Sequence, residues 1–136
     1  MNTPTAHVEQ LLAELKTNAV VVMELYPLLT KINYHVLVAP GTGWPLETAS
    51  FLTYPISDRM RTLPVFTSDT YPLFEQLKRD AGAEGLIVRG MQLFQHLKDK
   101  NVVAEQGDTK LAINPGWEHG ILVSRAALLG VLSLAK

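Results

Sequence analysis

Apolar residues recur along the chain with two distinct periods. Val8, Leu11, Leu12 and Leu15 fall at i, i+3, i+4 and i+7, which places them on one stripe of a helix. Thr3 and Pro4 supply its cap and first position, and Glu9, Gln10, Glu14 and Lys16 point away from the stripe. From Ile32 to Ala39 the period drops to two. Ile32, Tyr34, Val36 and Val38 share one face of a strand that ends at the Pro40-Gly41 turn. Between them, Asn18 to Thr30 fits either state: Val20-Val21-Val22 favours a strand, Met23 to Leu29 a helix, and Pro27 would kink that helix.

Further on, the pattern predicts strands over Thr48 to Ile56 and Leu63 to Phe66, with Ser57 to Arg61 as the hairpin connection. Pro64 cannot donate to a ladder, so its N–H side is expected to face an edge or a bulge. A helix follows, capped by Asp69, with Leu73, Phe74, Leu77 and Ala81 inward and Gly82 at its end. Leu86 to Val88 reads as a strand buried on both faces, and Met91, Leu93, Phe94 and Leu97 as the inner stripe of another helix. Asn101 to Gln106 and Lys110 to Asn114 read as a hairpin around Gly107-Asp108-Thr109. The chain closes with a short strand, Ile121 to Val123, and a Ser124-capped helix that is apolar around most of its circumference. Such a helix is expected either to insert between other elements or to be shared with a second copy, a homodimer being the commoner form of sharing. Strands and helices mix without strict alternation, so the predicted class is α+β: a mixed sheet packed with helices, one domain over 1–136.

Composition narrows the chemistry. The chain has 136 residues, 47 % hydrophobic and 18 % charged, which is a globular balance. It has no cysteine, so disulfides and thiolate chemistry are excluded. A formal charge of −1 offers no footprint for nucleic acid or an anionic membrane. No apolar run reaches the ~20 residues of a membrane span, and the N-terminus lacks the pattern of a secretory signal. A cytoplasmic setting is the expectation. His7, His35, His96 and His119 have no metal-ligand spacing, so neither metal nor cofactor is expected. His119 beside Glu118 is expected to point away from it on extended chain, and His35 to be a hydrogen-bonded structural residue.

Two strand ends remain as the place for a site. Phe66-Thr67-Ser68 and Asn114-Pro115-Gly116-Trp117 each stand where a strand gives way to something else. If their strands are parallel neighbours, the Thr67 and Ser68 hydroxyls, the Asn114 amide and the following helix N–H groups line one shallow cleft. The plainer reading is that Ser68-Asp69 caps a helix and Asn114-Pro115-Gly116 makes a tight turn.

Phe66-Thr67-Ser68-Asp69, Ile113-Asn114-Pro115-Gly116, Val38-Ala39-Pro40 and the Ser124-capped helix together resemble the SseB-type N-terminal domain, over roughly Leu11 to Leu132. The resemblance tips Asn18 to Thr30 towards helix. It implies an α+β domain of bacterial cytoplasmic proteins with no established reaction, found in secretion and interaction contexts. Many full members carry a second, C-terminal domain that a chain ending at Lys136 lacks. The functional expectation is a non-catalytic module that binds an unidentified protein partner. The alternative is a small-molecule binder, or an enzyme with an unrecognised polar site.

Overall fold

The computed structural model describes residues 4–41, 49–57, 60–100, 102–103 and 109–134. Among the described residues five helices pack with a mixed six-stranded sheet, an α+β arrangement. The helices are α1 (Pro4–Leu15), α2 (Val22–Leu29), α3 (Pro72–Ala81), α4 (Gly90–Asp99) and α5 (Arg125–Leu134). The strands are β1 (Asn33–Val38), β2 (Tyr54–Ser57), β3 (Met60–Phe66), β4 (Glu84–Arg89), β5 (Thr109–Ile113) and β6 (Ile121–Val123). They run in the order β4-β1-β3-β5-β6, with β2 paired to β3.

The period-two residues of β1 decide how the layers form. Tyr34, Val36 and Val38 join Leu63, Val65, Leu111 and Ile113 on one face of the sheet. Buried residues of α1, α2, α4 and α5 cover that face and make the main core. On the other face Leu37 and Phe66 meet Phe74 of α3 in a smaller cluster. Tyr34 is fully buried, and its hydroxyl donates to the Leu29 carbonyl at 2.6 Å, so the one polar atom in that position is satisfied. The ambiguous Asn18 segment is helical: a 3-10 turn over Ala19–Val21 leads into α2, which carries Pro27 inside.

The predicted strand Thr48 to Ile56 is shorter than expected. Phe51 makes only an isolated bridge to Val38, and the strand proper is β2. The segment is divided between two partners: Leu52 N–H donates to Leu37 O, and then Tyr54 pairs with Thr62. β5 takes one whole edge of β3, so β2 and β1 share the other. Pro64 stands between the Tyr54↔Thr62 and Val36↔Val65 registers. Its missing N–H therefore faces the place where the neighbour changes, which makes a mid-sheet proline tolerable. β3 itself begins at Met60, earlier than the expected Leu63.

Two other expectations are corrected. Asp69 is exposed and does not cap α3. The N-cap is Tyr71, extended at φ −68 ψ 128, and Pro72 is the first helical residue. The residue before a proline is driven out of the helical region, so the helix cannot begin sooner. β4 is an edge strand rather than a doubly buried one: Val88 is buried, but Ile87 is 62 % exposed. The hairpin expected before β5 falls mostly outside the described residues. Val102 and Val103 lie in a bend, and both edges of Leu111 to Ile113 are taken by β3 and β6. The Gly82 terminus holds, with φ 61 at the C-cap of α3. So does the Ser124 cap, whose Oγ accepts from Ala127 N–H at 3.3 Å. α5 inserts against α2 and α4 through Leu128, Val131 and Leu132, and Leu129 and Leu134 stay exposed. No helix among the described residues is long and apolar enough to cross a membrane.

Candidate functional site

β3 and β5 are adjacent and parallel, with Val65 opposite Ile113. Their ends, Phe66-Thr67-Ser68 and Asn114-Pro115-Gly116-Trp117, therefore lie side by side. Asn114 N–H continues the ladder by donating to Val65 O at 2.8 Å. The chain then reverses: Asn114 has φ 54, Gly116 has φ 85, and Trp117 N–H donates to Asn114 O. Asparagine tolerates the left-handed region because its short amide bonds locally, and Gly116 adopts it freely.

The polar groups at these ends bond to one another. Asn114 is 0 % exposed and Thr67 5 %. Thr67 N–H donates to Asn114 Oδ1 at 2.9 Å, and Asn114 Nδ2 donates to Thr67 Oγ1 at 3.0 Å. Thr67 Oγ1 in turn donates to Glu9 Oε2 at 2.9 Å, and the Tyr71 hydroxyl donates to the same carboxylate oxygen. Asn114 Nδ2 also reaches the Tyr71 hydroxyl at 3.3 Å. Four side chains from α1, the two strand ends and the approach to α3 thus form one closed network. Ser68 stays outside it, with its Oγ accepting from Thr70 N–H at 3.2 Å.

Glu9 and Tyr71 were missed from sequence. Glu9 was expected to point away from the core, yet it borders the α1 stripe and turns inward to Thr67. Its place next to Val8, on the flank of the stripe, is the only local signal. Burial, then the hydrogen bond to Glu9, pushes the Tyr71 hydroxyl up to about 12. A phenol whose folded pKa lies above its unfolded value, about 10, contributes stability in full below that value. That contribution fades as pH rises through about 12. Burial also raises the Tyr34 hydroxyl. Alkaline titration of stability by urea unfolding is therefore expected to fall from about pH 10, and to fall less steeply in Tyr71→Phe. Equal slopes for the two proteins would contradict the assignment.

Beside the network the surface is apolar. Tyr71, Pro72, Leu73 and Pro115-Gly116-Trp117 line a hollow of about 130 Å³. On the other side of the turn, a hollow of about 200 Å³ is lined by Thr62, Ala112 and Leu122 of β3, β5 and β6, with the same Pro115, Gly116 and Trp117. This second hollow lies on the sheet face that α3 covers only in part. The turn is thus a ridge between two depressions. Trp117 is braced on the ridge by Tyr71, with ring centroids 5.9 Å apart, and by His119, edge-on at 4.8 Å. His119 Nε2 does meet Glu118 Oε1, at 3.3 Å, because these residues sit in a turn and not on extended chain. Among the described residues no third metal-ligating side chain joins them. His35 packs its ring edge-on against Phe74.

The fold and this end of the sheet define a small mixed-sheet α+β domain with an internally bonded pair of strand ends and an apolar ridge beside them. The chain belongs to the SseB family: the SseB protein N-terminal domain matches residues 8–129, nearly the whole chain. Comparison with curated proteins and with solved structures gives no match.

Proposed function

We propose that this SseB-family domain is a non-catalytic interaction module, and that the Pro115-Gly116-Trp117 ridge seats apolar side chains of a partner protein. The observation that carries this reading is that the three ridge residues line both hollows. The Thr67 and Tyr71 hydroxyls and the Asn114 amide are spent on each other and on Glu9. At about 130 and 200 Å³ the two hollows beside the ridge are smaller than the roughly 300–1,000 Å³ of small-molecule sites, which weighs against a small ligand at the ridge itself; hollows of about 300 and 310 Å³ lie elsewhere, one beside Val38 to Pro40 and one beside Arg89 and Met91. Tryptophan anchored at the centre of such a surface is the residue type that most often dominates binding energy. The family resemblance adds a bacterial, cytoplasmic setting for the partner.

Leu122 is the clean probe, because it is 51 % exposed on the wall of the larger hollow. Leu122→Glu is expected to leave stability within about 0.5 kcal/mol of the parent. It is expected to abolish capture of the protein partner that the parent domain retains from extracts of its source cell, read by mass spectrometry. Undiminished capture by Leu122→Glu and by Trp117→Ala, both folded by circular dichroism, would remove the ridge as the docking surface.

A further inference from the structure

The free edge of β4 is self-complementary, and we infer that it pairs antiparallel with β4 of a second copy of this chain to form a two-fold dimer. Among the described residues β4 ends the sheet and pairs only with β1. The phase of that pairing is fixed. Gly90 N–H donates to Ile32 O at 2.8 Å, in line with the Asn33↔Arg89 register. The inward hydrogen bonds of β4 therefore come from its even-numbered residues, and the N–H and C=O groups of Gly85, Ile87 and Arg89 point outward. The far edge of β1 agrees, since Leu37 and Ala39 bond to the 50–52 segment there. Gly85, Ile87 and Arg89 have no backbone partner among the described residues.

Exposed edges of this length usually carry a proline, a bulge or a lysine that discourages pairing. β4 has no proline, bulge or lysine, its charges Glu84 and Arg89 stand only at its two ends, and Ile87 at its centre is 62 % exposed. The three outward residues are spaced symmetrically about Ile87. An antiparallel copy centred there sets Ile87 opposite the partner's Ile87 and Gly85 opposite the partner's Arg89. Each such pair exchanges two N–H···O bonds, about six in all.

Charge favours a second copy over an unrelated strand. In this register Glu84 falls opposite the partner's Gly90, the first residue of α4. A carboxylate there meets the positive end of the partner's helix, and the two-fold axis repeats the contact. A single strand pair is small against a standard interface, so the dimer is expected to be weak and to form only as concentration rises.

β4 lies at the opposite end of the sheet from β6 and the ridge beside it. Sedimentation velocity across a concentration series tests it, with wild type, Ile87→Lys and Leu122→Glu compared. Wild type and Leu122→Glu are expected to pass from monomer to dimer, and Ile87→Lys to bind itself at least about tenfold more weakly. Hydrogen exchange at the Gly85, Ile87 and Arg89 amides is expected to slow as wild-type concentration rises. A monomer at every concentration, or a dimer that persists in Ile87→Lys with those three amides exchanging freely, overturns the proposal.

Discussion

Asn114→Ala is expected to cost about 3 kcal/mol of stability, measured as a shift of the urea midpoint at constant slope. Two separable effects add. The substitution removes the acceptor of the buried Thr67 N–H. An orphaned buried donor costs about 1–3 kcal/mol. It also places alanine at φ 54 without the short amide side chain that lets asparagine tolerate the left-handed region, a smaller further loss. Asn114→Gly separates the two, because it relieves the backbone and leaves the donor orphaned; it should recover about 1 kcal/mol. A loss under about 1 kcal/mol in the alanine variant would mean that the network contributes little.

Gly120→Ala is expected to be at least as damaging. Gly120 follows the ridge, and its N–H donates to Trp117 O at 2.9 Å. A methyl group there would overlap the Asn114 carbonyl oxygen and stand 3.0 Å from the Ile113 oxygen. Both obstacles are backbone at the end of β5, so neither moves aside as a side-chain tip would. The turn must shift bodily or part from the strand, at a cost of about 3 kcal/mol or more. Thermal unfolding reads the loss directly, and near-ultraviolet circular dichroism reads the displaced Trp117. An unchanged Trp117 signal with parental stability would show that the turn relaxes freely.

The parts of this architecture legible in sequence are those written locally. The α1 stripe, the alternation of β1, the Gly82 terminus and the Ser124 cap each depend on residues within a few positions of one another. The parallel neighbours β3 and β5 were conceivable because both strand ends carried turn chemistry. What was not legible depends on distance along the chain or on competition between local rules. Glu9 reaches Tyr71 across 62 positions and Thr67 across 58, and no periodicity carries that information. The Asp69 cap failed because a stronger rule, the conformation imposed by Pro72 on Tyr71, acts three residues later. Leu86-Ile87-Val88 read as a buried strand because an apolar run cannot tell an edge from a centre. The split between β1 and β3 around Phe51 is likewise a property of the sheet, not of the segment.

The closed network also bears on the order in which the chain folds. Its hydrogen bonds join α1 to the end of β3 and the end of β3 to the end of β5, across 58 and 47 positions. Loops of that length are closed at an entropic cost that only an already assembled sheet repays. The Glu9–Thr67–Asn114 bonds are therefore expected to form after the barrier has been crossed. The stability lost in Asn114→Ala should accordingly appear in stopped-flow traces as faster unfolding, with the refolding rate almost unchanged.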